Sequence, residues 1–316
     1  MTTTAPPAPA SAPVPPARTS ARAIVRARRR RAFARVWRTY RSSLQGMVGL
    51  AILVVFVGIA VFAPLITSSK GLDVTNTTHN PTLAAPSSHF IMGTDELGRS
   101  VWTLFVWGSR ISLFVGLAAT IIAIALGAGF GIVAGYAGGR TEGVLMRITE
   151  FFLVIPFIPL AVVLASVLHR SLSNIIFVIG ITSWPGTARL IRAQVLSVKT
   201  RLYVDRARGL GAGHWHVISR HILPNVMPLI FANLTLTVPI AILSESTLSF
   251  LGLGDPLRIS WGVVLENAFD GAAVTLGAWW YYLAPGLGII LVALAFTMCG
   301  RALEEILDPR LVEAQT

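Results

Sequence analysis

Six apolar stretches, all but the fourth near or above the ~20 residues that a helix needs to cross the ~30 Å hydrocarbon core of a bilayer, limit this chain more than any other feature. They fall at about residues 47–67, 111–136, 150–168, 172–184, 226–251 and 278–300. In lipid every backbone polar group must be bonded within the protein, so an all-α integral membrane fold with six transmembrane helices is expected. The fourth stretch is the least regular, because Pro185 interrupts it and Arg189 and Arg192 follow. A helix continuing past the proline, with its arginines at the membrane surface, accommodates all three residues. Composition agrees: 54% of the 316 residues are hydrophobic and 13% charged. The ~25% charge of soluble domains is about twice that, which excludes an ordinary soluble enzyme.

The formal charge of +12 is unevenly placed, with ten arginines between Arg18 and Arg41, directly before the first apolar run. Six spans put both termini on one side, and Lys and Arg divide 21 to 5 in favour of the N-terminal side, which the positive-inside rule assigns to the cytoplasm. Four regions follow. Residues 1–43 comprise a Pro/Ala-rich disordered tail and a basic cytoplasmic segment suited to anionic lipid. Residues 44–110 hold the first span and a polar extracytoplasmic stretch, 111–303 a five-span core, and 304–316 a cytoplasmic tail. A signal peptide is not expected, since the first apolar run is too long and begins too late. A basic tract leading into a span is a topology signal, so no nucleic-acid partner is expected.

The sequence contains no G-x-x-x-x-G-K-[ST] phosphate loop, no H-E-x-x-H and no G-x-S-x-G. A lone cysteine, Cys299, and three histidines at 214, 216 and 221, with His214 and His216 on different faces of a helix, do not suggest a metal site. No catalytic residue, metal or cofactor of its own is therefore expected. Gly127, Gly131 and Gly135, four residues apart, would let a second helix approach closely in lipid. Asp95 and Arg99 could pair at i, i+4 near the turn-forming Gly93 and Gly98, closing an outer gate region or meeting cargo. Gly252 and Gly254 suit a turn at the mouth of the fifth span. Glu245 lies inside that span, where a carboxylate is costly and therefore a gating or substrate-path candidate.

Residues 202–224, LYVDRARGLGAGHWHVISRHILP, predict two short helices separated by Gly211 and Gly213, the second ended by Pro224. Trp215, Ile218 and Ile222 would form one apolar face on the second helix, covered either by the chain's own helix ends or by a partner's groove.

This segment resembles the EAA loop of bacterial ABC importer permeases, E-A-A-x3-G-x9-I-x-L-P. Asp205, Arg206 and Ala207 take the lead positions, Gly211 the glycine, and His221, Ile222, Leu223 and Pro224 close it; Asp replaces Glu, Arg the first Ala, and His the Ile. Residues 92–99 (MGTDELGR) with Gly108, Arg110 and Ser112-Leu113 are similar to the C-type subunit of dipeptide and oligopeptide permeases. So are 249–254 (SFLGLG) with Ser260-Trp261-Gly262, and 307–311 (LDPRL). The resemblance implies a type I importer permease in a bacterial inner membrane. Its partners would be membrane lipid, a second homologous permease subunit, two ATP-binding subunits carrying ATP and Mg, and an extracytoplasmic solute-binding protein that delivers peptide. It implies coupling to the ATPases through Asp205, Arg206, Ala207, Gly211, Trp215, Ile218, Ile222, Leu223 and Pro224. Nickel complexes, glutathione or another small solute remain alternative cargo. A secondary transporter or membrane enzyme is a more distant reading.

Overall fold

The computed structural model describes Ala34 and residues 36–307, so the expected N-terminal tail and the 308–311 part of the C-terminal motif lie outside the described residues. Among the described residues the fold is helical, with one isolated bridge between Thr94 and Ser100. Helix α1 (Leu44–Val61) starts at Ser43, whose hydroxyl accepts the Gly46 N–H at 3.2 Å. It breaks at Phe62, and the short α2 (Ala63–Ile66) follows with a proline in its first turn.

Helix α3 (Val101–Ala137) begins ten residues before the expected 111. That expectation places the start after a polar stretch ending at Arg110, but the helix is already under way there. Arg110 lies exposed on the helix with its guanidinium 5.9 Å from the Trp107 ring centroid, while Val101, Leu104 and Val106 of the first turns are fully buried. At 1.5 Å per residue α3 is about 55 Å long, enough to link both ends of the bundle.

The expected single span at 150–168 is instead two helices, α4 (Gly139–Val154) and α5 (Phe157–Val167), meeting at 89°. Pro156 forces the break: Ile155 before it is extended (ψ 126°), and Pro156 itself has ψ 128°. Pro185, by contrast, sits within an unbroken α6 (Leu172–Lys199), as expected. Beyond it come α7 (Leu202–Gly209), α8 (His214–Val217), α9 (Leu223–Leu248), α10 (Trp261–Asp270) and α11 (Trp279–Leu307). Among the described residues five helical runs are long and apolar enough to cross a membrane, and the bent pair α4–α5 makes a sixth if it counts as one span.

The most extensive contact is between α3 and α6, and the glycine stripe explains it. A Cβ at Gly127, Gly131 or Gly135 would lie 2.7 Å from Trp184 O, 2.6 Å from Ala188 O and 3.0 Å from Arg192 O respectively. The backbones touch because these three residues have no side chains. Helix α3 also packs on α9, α1 and α10, so it is the central post of the bundle. Near its start Phe56, Phe105 and Trp261 form an aromatic cluster, and the Trp261 indole N–H donates to Phe105 O at 3.0 Å.

Candidate functional site

At the far end of α3 the 202–224 segment folds on the ends of α3 and α6. Helix α7 ends beside Leu210, and Gly211 adopts φ +84°, the left-handed conformation that releases the chain into α8. The second helix does not stop at Pro224. A π turn, Ile218–Ile222, carries α8 directly into α9, with Pro224 in the first turn of α9. Pro224 has no N–H for a regular bond four residues back, and the preceding turn is already widened, with the Leu223 N–H reaching Ile218 O.

That continuity divides the expected Trp215, Ile218 and Ile222 face. Ile222 is fully buried in a cluster with Val204, Val217, Ile191, Val195 and Val198, and Ile218 and Leu223 pack against the same cluster. Trp215 is 79% exposed and Leu210 89% exposed. The chain's own helix ends therefore cover the lower half of the face and leave the upper half free. A concavity of about 530 Å³ opens beside it, its walls including Tyr203, Arg206, Ala207, Gly211, His216 and His221. Asp205 is exposed on α7, and Pro224 is exposed at the start of α9.

Tyr136, which sequence reasoning missed, fastens the loop to α3. Its hydroxyl is 2.9 Å from His214 Nδ1, and Arg208 lies 5.0 Å over its ring. Lys199 Nζ donates to Gly135 O at 3.3 Å, and Arg192 Nε to Glu142 Oε1 at 2.7 Å. The only sequence signal was that Tyr136 ends the apolar run one residue after the glycine stripe.

At the opposite end, Asp95 and Arg99 are paired and buried, though on a turn rather than a helix. Gly93 (φ +69°) and Gly98 (φ +72°) bend the chain, and the Thr94–Ser100 bridge closes the loop between them. Asp95 Oδ1 accepts the N–H groups of Leu97 at 3.0 Å and Arg99 at 2.7 Å, and Oδ2 accepts Arg99 Nε at 2.6 Å. Trp280 at the head of α11 donates to Thr94 O at 3.2 Å. Burial pushes the neighbouring Glu96 carboxyl above its ordinary range; the Tyr281 hydroxyl and Arg99 pull it back, while Asp95 adds to the rise.

Glu245, in α9, is 1% exposed. Its carboxylate accepts Ser112 Oγ at 3.1 Å and Ser249 Oγ at 2.8 Å, with Ser246 Oγ at 3.4 Å. Among the described residues it makes no ion pair. Just beyond it Gly252 has φ +77° within a second π turn, Ser249–Leu253. Gly254 has an ordinary φ of −64° and is needed for space instead, as a Cβ there would lie 3.0 Å from Ser249 Oγ.

A bundle of apolar spans packed through bare backbone, with a structured loop at one end, is the architecture of a multi-pass membrane protein. Residues 127–313 match the profile of binding-protein-dependent transport system inner membrane components. Residues 32–86 match that of the N-terminal transmembrane domain of oligopeptide transport permease C. The dipeptide transport system permease protein DppC of Bacillus subtilis is 39% identical over 277 residues, covering 87% of this chain and 85% of the relative. The oligopeptide transport system permease protein OppC of the same organism is 37% identical over 273 residues, covering 86% and 88%. The di/tripeptide transport system permease protein DppC of Pseudomonas aeruginosa is 34% identical over 285 residues, covering 88% and 92%. The chain belongs to the binding-protein-dependent inner membrane component family of ABC importers, in the branch of the C-type dipeptide and oligopeptide permeases.

Proposed function

We propose that this permease forms half of a peptide pathway, with both termini cytoplasmic, beside a second homologous permease. Two ATP-binding subunits would hold ATP and Mg on the cytoplasmic side, and a solute-binding protein would deliver di- or oligopeptides from outside. The chain itself would need no cofactor. The relatives' names support the cargo, and the 21 to 5 division of Lys and Arg supports the orientation.

The observation that carries the coupling reading is the loop's combination of exposed tip and buried root. Trp215 and Leu210 stand clear, whereas Val204, Val217 and Ile222 are fully buried against α6 and α9. A force applied at the tip therefore reaches the spans instead of bending a slack loop. Asp205, Arg206, Ala207 and Gly211 would complete the surface offered to the ATPase, and Ile218, Leu223 and Pro224 the hinge behind it. Trp215→Asp is the test, read by co-purification of the ATPases and by ATP turnover with and without loaded binding protein. Weaker ATPase retention or lost stimulation is expected; wild-type values in both would remove the loop from the coupling pathway. Uptake of labelled dipeptide, oligopeptide and nickel complexes by the same complex decides the cargo.

A further inference from the structure

We propose that Glu245 is a positioning residue for transport: the hub of a hydroxyl latch that ties α3, α9 and the short helix α10 into one unit, and whose integrity holds the resting complex idle. The proposal rests on the permease reading and adds a residue-level device to it.

The geometry is a chain of donors converging on one carboxylate. The first free N–H of α10, at Trp261, donates to Ser112 Oγ at 3.1 Å, and Ser112 Oγ donates to Glu245 Oε2 at 3.1 Å. Ser249, from the π turn that follows α9, donates to Glu245 Oε1 at 2.8 Å. Helices α3 and α9 thus meet at one side chain through residues 133 apart in sequence, and α10 joins them through Ser112. The polarity is consistent throughout, because a helix start carries unpaired N–H groups and partial positive charge, which an acceptor relayed through a hydroxyl can satisfy. The carboxylate is deeply buried without an ion pair among the described residues, so these hydroxyls are its compensation.

The surrounding packing is built to keep the parts at that distance. A Cβ on Gly262 would lie 2.7 Å from Ser246 Cα and 2.7 Å from Ser249 Cβ. One on Gly108 would lie 3.0 Å from the Trp261 ring. Bare backbone at both positions lets α10 sit against α3 and α9 closely enough for Ser112 to bridge them. Gly252, three residues past Ser249, has the left-handed φ at which the chain turns towards α10. A latch of hydrogen bonds that joins α9 to α10 through Ser112 of α3, adjacent to a glycine bend, can be made or broken as a unit, as a coupled transition requires.

The experiment uses the assembled transporter in lipid nanodiscs and measures the ratio of ATP turnover with loaded binding protein to turnover without it. Glu245→Gln, Ser112→Ala and Ser112→Thr are compared with the wild type. Gln keeps the shape but replaces the carboxylate by a group that must itself donate; Ala removes the relay, and Thr restores a hydroxyl. The expected result is higher basal turnover and at least about a fivefold lower stimulation ratio in Glu245→Gln and Ser112→Ala, with Ser112→Thr near wild type. A residue that only stabilises the fold would change basal and stimulated turnover together, and the ratio, taken on assembled complex, would not move. An unchanged ratio in Glu245→Gln and Ser112→Ala overturns the latch. Absence of stimulation in the wild type would instead overturn the proposed assembly with ATP-binding subunits and a solute-binding protein.

Discussion

Gly129 and Gly131 lie two residues apart on α3, yet the structure assigns opposite signs to the same substitution. Gly131 faces α6, where an added Cβ would meet Ala188 O at 2.6 Å, Ile191 Cβ at 2.9 Å and Arg192 N at 3.0 Å. Two of these three are backbone atoms and cannot rotate away. Carbon atoms rest ~3.5 Å apart, so Ala at 131 must push α6 away by about 0.6 Å. Overpacking of this size costs ~1–3 kcal/mol, and Ala gains back ~1 kcal/mol of helix propensity over Gly. The net expectation for Gly131→Ala is a loss of up to about 2 kcal/mol, and for a bulkier Gly131→Leu a larger loss. Gly129 is exposed and has nothing within 4 Å of its Cβ position, so only the propensity gain of up to ~1 kcal/mol applies. The assay is thermal inactivation of the purified permease in detergent, followed by size-exclusion chromatography of heated samples. Gly129→Ala should hold or raise the midpoint and Gly131→Ala lower it. Equal shifts in the two variants would refute the claim that α3 and α6 are in backbone contact.

Gly211→Val should cost at least ~1–2 kcal/mol at a left-handed residue whose Cβ meets nothing; the loss should show as weaker ATPase co-purification, with Gly211→Asn milder. Arg99→Met leaves Asp95 buried without its cation and should destabilise the outer loop by ~3–5 kcal/mol, read as accelerated proteolysis between residues 68 and 100. Glu96 has a raised folded pKa, so its contribution to stability is fully present below the unfolded value and is lost as pH rises through the folded one. Glu96→Gln should therefore stabilise the protein at pH 7 and change little at pH 4, as a thermal shift series would show. Cysteines at Ser87 and Ala272 should react with an impermeant maleimide in intact cells and one at Gly213 only after lysis; Gly213 reacting first would reverse the orientation.

The spans were legible because lipid imposes a simple composition rule, and the glycine stripe because a four-residue repeat of the smallest side chain has one common use. What escaped reading has a consistent cause: local chemistry that composition does not show. Arg110 suggested a boundary where its side chain merely runs along the helix. Pro156 and Pro185 look alike in sequence, yet one bends the chain by 89° and the other lies in a continuous helix. Ile222 followed the right period for a docking face, but the π turn at 218–222 broke the period and rotated it into the core. Asp95 and Arg99 were found by spacing although the turn that pairs them is not a helix, since both geometries bring i and i+4 together. Glu245 was conspicuous alone, but its partner Ser112 lies 133 residues away and only the fold brings it there.

Both sets of candidate residues are attached to the same post. Tyr136, one residue from the end of α3, holds the 202–224 loop through His214 and Arg208; Ser112, near its start, holds α10 and Glu245. Between them lie the three glycines that seat α6 directly on the α3 backbone. Backbone contact leaves little compliance, because there are no long side chains to deform, so displacement of α6 by the loop must carry α3 with it. Helix α9 supplies the second connection, running from the π turn beside the loop to Glu245 at the other end. On the proposed coupling, a movement at the loop would reach the latch by two routes, through α6 seated on α3 by the glycine seam and through α9, and Gly131→Ala should weaken the first as well as the fold. In assembled complexes it should lower the stimulation ratio even when compared at a temperature where the variant is fully intact. An unaltered ratio there would show that α9 alone suffices to carry the movement.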